Sequence, residues 1–126
     1  MDVSAVLDGF RQETAGCDLA VFADLGTGMV LCTSSAVRRA QEELDSLSAT
    51  AAVVLSETMS DNVAGVIGVD DPLTALTVTA VDARIYLRTP ALPNEALICV
   101  CGAGADLTQV VDRGHAALKR IAEAAS

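Results

Sequence analysis

Two runs of strand-forming residues flank a short glycine turn within residues 17–35. Along the first run, alternate side chains divide between two faces, and both faces carry apolar residues such as Leu19 and Phe22. Glycines such as Gly26 and Gly28 adopt positive φ angles at low cost, and the aspartate beside them can hydrogen-bond the turn backbone. This stretch therefore predicts a β-hairpin near the start of a domain, partly covered on both faces.

Hydrophobic spacing predicts the other elements. Val3, Leu7 and Phe10 recur at helical spacing, and Gly16 stands where it would cap the C-terminus of that helix. The predicted elements are a helix over about residues 2–15, the hairpin, a long helix over about 40–66, strands over 76–81, 83–89 and 96–101, and a last helix after Asp106. This order predicts an α+β fold in which a five-stranded, mostly antiparallel sheet packs against a long helix and terminal helices. We expect one domain over residues 1–126.

The middle of the long helix, from Ala49 to Leu55, is apolar or small around nearly its whole circumference. One sheet cannot cover all of that surface, so a second helix from another subunit is one explanation. Small residues spaced four apart would let two helices approach closely, and they are Ser48, Ala52, Ser56 and Ser60. The other explanation is a buried helix in a monomer.

The formal net charge of the chain is -9. Non-specific binding to nucleic acid or to an anionic membrane needs a basic surface, so neither partner is expected. No window reaches the roughly 18 consecutive apolar residues of a membrane-spanning helix, and the N-terminus lacks a signal-peptide pattern. We therefore expect a cytoplasmic protein whose four cysteines are reduced and act as small apolar residues.

The turn Gly102-Ala103-Gly104 lies between a predicted strand and a predicted helix, where a dinucleotide-binding fold has its phosphate turn. Leu107 stands at the place of the third glycine, and Asp106 would repel phosphate at the helix N-terminus. Asp106 and Gln109 instead have the spacing of a helix cap. The pattern therefore indicates a structural turn and no nucleotide cofactor.

Cys99 and Cys101 have a C-x-C spacing that could chelate a metal, but zinc would need two further ligands from the other cysteines or His115. A small enzyme that uses Cys32 or His115 is the weakest hypothesis, because no motif brings a nucleophile and the histidine together. We therefore expect buried structural thiols, a solvated or half-packed histidine, and no catalytic residue, metal or cofactor.

Apolar and polar side chains alternate along the strand over residues 83–89. The predicted inward positions are Ala83, Ile85 and Leu87, and the predicted outward positions are Arg84, Tyr86 and Arg88. Arginine and tyrosine are enriched at protein interfaces, so the outward residues form a candidate partner surface. A solvated strand face, whose charges discourage edge pairing, explains the same pattern.

Four stretches together resemble the Roadblock/dynein light chain domain family, and the resemblance extends over nearly the whole chain. They are AVFADLGTGMVLCTS in the hairpin, SLSATAAVVLSETM in the long helix, ARIYLRTPALPNEALICVCG in the later strands and ADLTQVVDRGHAALKRIA in the last helix. Members of this family form homodimers or heterodimers through the long helix and a sheet edge. They have no catalytic residues, and the bacterial members regulate small Ras-like GTPases.

The resemblance implies a noncatalytic dimeric module that modulates a small Ras-like GTPase. The dimer-interface residues that it implies on the long helix are Leu47, Ala51, Val54, Leu55 and Thr58. Profilin-like sensory domains share a similar order of elements, so the alternative function is a sensory domain that binds a small molecule between sheet and helix. A ligand-induced thermal shift in the absence of a protein partner would favour that alternative.

Overall fold

The computed structural model describes residues 3–36, 38–58, 73–78, 81–89, 91–102 and 104–125. Its elements in chain order are α1 (Val3–Glu13), β1 (Cys17–Asp24), β2 (Met29–Ser35), α2 (Gln41–Thr58), β3 (Leu73–Val78), β4 (Asp82–Thr89), β5 (Leu92–Gly102) and α3 (Leu107–Ala125). The strands form one sheet in the order β2-β1-β5-β4-β3, and all neighbouring strands are antiparallel. The predicted α+β class and antiparallel sheet are confirmed. The predicted part of the long helix beyond residue 58 lies outside the described residues.

The β1–β2 hairpin forms as predicted, and its turn is held by an aspartate side chain. The Gly26 backbone N–H donates a hydrogen bond to Asp24 Oδ1 at 2.9 Å, and Thr27 Oγ1 donates one to Asp24 Oδ2 at 3.1 Å. Gly28 has a φ angle of 73°, a conformation that costs glycine little. The pairing then shifts register between Phe22 and Ala23, which leaves one extra residue on β2 as a β-bulge.

Helices cover both faces of the sheet, so the chain has two apolar clusters. On one face, α1 and α3 pack against the sheet through Leu7, Phe10, Phe22, Leu97 and Leu118. On the other face α2 covers Leu19, Val21, Tyr86, Ile98 and Val100. Each fully buried side chain of this size stabilises the fold by about 1.5–3 kcal/mol relative to an exposed one. Two covered faces explain why β5 carries apolar residues at consecutive positions from 96 to 101.

Polar contacts join the edge strand β2 to α1. The Ser34 hydroxyl is buried, donates a hydrogen bond to the carboxylate of Asp8 and accepts one from Arg11 Nε at 2.8 Å. At the C-terminal end of α1, Arg113 of α3 donates to the Glu13 carbonyl oxygen at 2.9 Å. These contacts hold α1 between β2 and α3. Across the described residues, no helix is both long enough and apolar enough to span a bilayer.

Candidate functional site

The helix α2 presents its largest apolar residues to the sheet of its own chain. Leu47, Ala51 and Leu55 retain 1%, 0% and 0% of their surface exposed and belong to the core beneath α2. The prediction that these three residues form a dimer interface is therefore corrected, because a residue with no exposed surface cannot contact a second subunit. Val54 and Thr58 lie on the same helix, but their side chains fall outside the described part, so their assignment stays a prediction.

The described residues of the predicted small-residue stripe on α2 are largely buried within the chain. Ser48 is fully buried, and its hydroxyl donates a hydrogen bond to the Gly28 carbonyl oxygen at 2.7 Å. This bond ties α2 to the turn of the β1–β2 hairpin, so the serine has a structural role within the chain. Ala52 is half-buried, while the side chain of Ser56 and the whole of Ser60 lie outside the described residues.

The exposed side of α2 is a stripe of small side chains with one larger apolar residue. Ser46, Ala49, Thr50 and Val53 are exposed, and their spacing of three, four and seven places them on one side of the helix. Val53 keeps 55% of its surface exposed. We call these four residues the outer face of α2. Its small side chains allow a second helix to approach to about 8 Å between axes, the short end of the usual range.

The candidate partner surface on β4 is smaller than the sequence predicts. Tyr86 is 2% exposed and packs in the core under α2, with Ile98 as its neighbour on β5. Burial raises the pKa of Tyr86, and the nearby Arg84 guanidinium partly offsets this effect. The assignment of Tyr86 to an outward face is therefore wrong, because α2 covers the side of β4 that the alternation predicts to be solvated.

Arg84 and Arg88 remain accessible on that strand. The Arg84 side chain is 39% exposed, and its Nε lies 3.8 Å from Asp82 Oδ2, a long separation for an ion pair. Arg88 is half-buried near the opposite end of β4. Within a strongly acidic chain, these two cations are the part of the predicted partner surface that a partner can reach.

Among the residues considered for chemistry, three cysteines lie together in the core, whereas Cys32 lies on another strand and His115 on α3. Cys17, Cys99 and Cys101 are buried in the core on the α1 and α3 side, and Cys32 is half-buried on β2. Over the described ranges, no three cysteine, histidine or carboxylate side chains are placed to hold a metal ion. The turn before α3 is closed by Asp106, whose Oδ1 accepts a hydrogen bond from the Gln109 backbone N–H at 3.2 Å, as the capping pattern predicts.

His115 lies in a groove of about 580 Å³ between α3 and the β4–β5 turn. Thr89 and Ala91 border the groove on the turn side, and Lys119 and Glu123 border it on the helix. Burial lowers the pKa of His115, and the nearby carboxylate of Asp112 partly opposes that shift. His115 is half-buried, as the sequence predicts.

The lowered pKa of His115 has a consequence for stability. The folded chain should bind its His115 proton only below the ordinary value of 6.5, so the unfolded chain binds more protons between that value and the folded pKa. Stability should therefore rise as the pH rises through this window, by at most about 1.4 kcal/mol per pH unit. Proton NMR can follow the titration directly, because His115 is the only histidine. A titration midpoint of His115 above 6.5 would contradict this expectation. The same holds if the pH dependence of the free energy of unfolding is unchanged in His115→Gln.

Two exposed apolar residues on the edge strand β2 are not among the predicted site residues. Met29 is 61% exposed and Leu31 is 52% exposed. Val30 packs against the apolar cluster under α2, and Cys32 packs against the cluster under α1 and α3. Covered and exposed side chains therefore alternate at the start of β2. The sequence does carry a signal for this arrangement. The apolar run that follows the glycine turn is continuous, and an edge strand cannot bury that many apolar side chains.

Comparison with known proteins places the whole chain within one kind of fold. No protein-family model matches the chain, and no curated protein matches it. A solved Roadblock/LC7 domain from Streptomyces avermitilis is similar with a TM-score of 0.78 at 16% identity, over 96% of this chain and 95% of that one. MglB with a tetrameric arrangement is similar at 0.75 and 25% identity, over 98% and 90%. The gliding protein MglB from Thermus thermophilus is similar at 0.74 and 25% identity, over 96% and 88%.

Proposed function

We propose that this chain, which has the fold of the Roadblock/LC7 domains, is a noncatalytic regulatory module that forms a homodimer and modulates a small Ras-like GTPase. The observation that carries the proposal is the outer face of α2, combined with a fold likeness that extends over nearly the whole chain. MglB, one of the similar structures, is itself described with a tetrameric arrangement. A domain of this fold with an exposed helix face is well suited to self-association.

The outer face of α2 supports the dimer through its shape and chemistry. Ala49 and Thr50 have short side chains, so a second helix can pack closely across them, and Val53 supplies apolar area that water would otherwise surround. The opposite side of the helix is already filled by its own sheet. A dimer would therefore bury the apolar area of α2 that one sheet leaves exposed.

We expect Val53→Glu to convert a dimer into a folded monomer. A carboxylate on the outer face would lose its hydration on association without gaining a partner. Truncating or charging a buried interface anchor typically costs more than about 2 kcal/mol of binding free energy, on the order of a thirtyfold loss of affinity. Light scattering should show about twice the chain mass of 12.9 kDa for the wild type and one chain mass for the variant. Circular dichroism should show the same fold in both.

Leu31→Glu is the matched control for this experiment. Leu31 and Val53 are almost equally exposed, at 52% and 55%, but Leu31 lies on the edge strand β2 and is not part of the outer face of α2. The control should therefore remain dimeric. A monomeric wild type would overturn the dimer proposal, and so would a dimer that dissociates equally in both variants.

The GTPase part of the proposal has its own test. The chain should bind a small Ras-like GTPase with an affinity that differs at least several-fold between the GTP-analogue and GDP forms, measured by titration calorimetry. Arg84 and Arg88 are the accessible cations of β4, so Arg88→Glu should weaken this binding while the dimer mass stays constant. Binding that is equal for both nucleotide states, or absent with every GTPase of the same genome, would contradict the proposal.

The groove beside His115 favours the sensory alternative. Its volume of about 580 Å³ falls within the range of small-molecule sites, and it is bordered by one cation, one carboxylate and the imidazole. It lies between α3 and the end of β4, which is close to the position between helix and sheet that the sensory alternative requires. A thermal shift with small ligands that Lys119→Ala abolishes would favour this function over the GTPase module.

A further inference from the structure

Three of the four cysteines gather in one part of the core, on the side of the sheet covered by α1 and α3. Cys17 begins β1, and Cys99 and Cys101 lie near the end of β5. Their exposed fractions are 6%, 0% and 0%. Neither the proposed dimer nor the proposed GTPase partner uses these thiols.

Cys17 and Cys101 are opposed residues on neighbouring antiparallel strands, and the register shifts directly after them, where Asp18 is an extra residue on β1. The Gly102 backbone N–H donates a hydrogen bond of 3.0 Å to the Gly16 carbonyl oxygen, so the pair before it in the ladder, Cys17 with Cys101, occupies a non-hydrogen-bonded site. At such sites the Cα atoms are about 4.5 Å apart and the side chains are close. Disulfides need a Cα separation of about 4.4–6.8 Å, and the spacing expected at such a site falls within that range.

The other two cysteines are less well placed for a bridge. Cys99 is opposed by Ala20 on β1, which makes it a diagonal neighbour of Cys17. Its thiol also lies near the Cys17 sulfur, but the Cα atoms of diagonal pairs are about 7–8 Å apart, beyond the usual range of a disulfide. Cys32 is opposed by Phe22 on β1 and has no cysteine across from it. The sheet register therefore selects Cys17 and Cys101 out of the six possible pairs among four cysteines.

The surroundings assign different roles to the two thiols. The neighbouring thiols of Cys101 and Cys99 lower the pKa of Cys17, while burial raises it, and the Cys17 thiol donates a hydrogen bond to the Leu19 carbonyl oxygen at 3.5 Å. For Cys101, the hydrogen bond to Cys17 and burial raise the pKa. We assign the attacking role to Cys17 because it keeps 6% of its surface exposed whereas Cys101 keeps none, and the lowered pKa of Cys17 favours its reactive thiolate form. A groove of about 380 Å³ is bordered by Gly16 and Gly102, the chain neighbours of Cys17 and Cys101.

We propose that Cys17 and Cys101 form a peroxide-reactive dithiol that closes to a disulfide between β1 and β5. In the first step the Cys17 sulfur attacks one oxygen of a hydroperoxide, the O–O bond breaks, and Cys17 sulfenic acid and an alcohol or water are formed. In the second step the Cys101 sulfur attacks the sulfenic sulfur, an S–S bond forms, and water leaves. The two sulfurs together lose two electrons, which reduce the peroxide.

Peptide mapping after treatment with hydrogen peroxide tests this proposal on the full chain. We expect the intact mass to fall by about two hydrogen masses and a non-reduced digest to contain one peptide that joins Cys17 to Cys101. The thermal midpoint should rise by roughly 10 °C, because the bond closes a long loop of the unfolded chain. Dithiothreitol should reverse both changes.

Cys32→Ser is the control variant, because it removes the most exposed thiol and leaves the pair intact. It should form the disulfide as the wild type does, whereas Cys101→Ala should gain oxygen atoms at Cys17 and form no intramolecular bond. A linkage between Cys17 and Cys99, oxidation confined to Cys32, or no reaction of the folded wild type at millimolar peroxide would each overturn the proposal. The wild-type digest decides the matter even if Cys101→Ala does not fold.

Discussion

Replacement of Ala51 by glutamate should unfold the chain. Ala51 is 0% exposed between α2 and the sheet, so the longer side chain has no space and its carboxylate has no partner among the apolar residues around it. An uncompensated buried charge costs about 3–5 kcal/mol, and overpacking adds about 1–3 kcal/mol. The free energy of unfolding of a domain is about 5–15 kcal/mol, so this loss removes most or all of it. Urea denaturation followed by circular dichroism measures the change.

Ala116→Glu is the control for this substitution. Ala116 is exposed on α3, and a glutamate there has Lys119 and Arg120 three and four residues further along the helix. Its free energy of unfolding should lie within about 0.5 kcal/mol of the wild-type value. If Ala51→Glu instead gives a folded monomer with unchanged stability, then Ala51 faces a partner and the packing of α2 described above is incorrect.

Gly114→Ala should destabilise the chain even though alanine favours helices. Alanine is better than glycine in a helix interior by about 1 kcal/mol. A Cβ atom at Gly114 would overlap Leu87 Cδ1 and lie 3.6 Å from Leu97 Cδ2, and both leucines are fully buried. Overpacking of this kind costs about 1–3 kcal/mol, so the net loss should be up to about 2 kcal/mol. The urea concentration at the unfolding midpoint should fall, while the dependence of the free energy of unfolding on urea concentration should stay the same.

Gly9→Ala should have the opposite sign. Gly9 is in the interior of α1, and a Cβ atom there would meet no other atom within 4 Å. Only the helix preference then changes, so the free energy of unfolding should increase by about 0.5–1 kcal/mol. Equal effects of the two substitutions would show that helix preference dominates at both glycines and that α3 is packed less closely on β4 than the structure indicates.

The hairpin could be predicted from the sequence because its determinants are local. Asp24, Gly26 and Gly28 interact within five residues of chain, and the alternation of Leu19 with Phe22 reports the two faces of one strand. The cap at Asp106 is local in the same way. In each case the residues that decide the structure are close in sequence, so their spacing carries the information.

The inward and outward sides of α2 and β4 could not be predicted in this way. Whether Tyr86 is solvated depends on where α2 lies, and α2 reaches it from a distant part of the chain. Ala51 and Ala49 are chemically identical, and only the rotation of the helix against the sheet makes one buried and the other exposed. The opposition of Cys17 to Cys101 depends on strand register across most of the chain, which no local spacing encodes.

The hydrogen bond from Ser48 to Gly28 couples the position of the hairpin turn to the position of α2. A displacement of the helix by about 1 Å would stretch this bond from 2.7 Å past the useful range and leave a buried hydroxyl unsatisfied. The turn must then follow the helix or release it at a cost of about 1–3 kcal/mol. If the bond holds, a partner that displaces α2 also displaces Met29, the exposed residue beside the turn. A contact made at α2, on one face of the sheet, then changes the position of the edge strand β2.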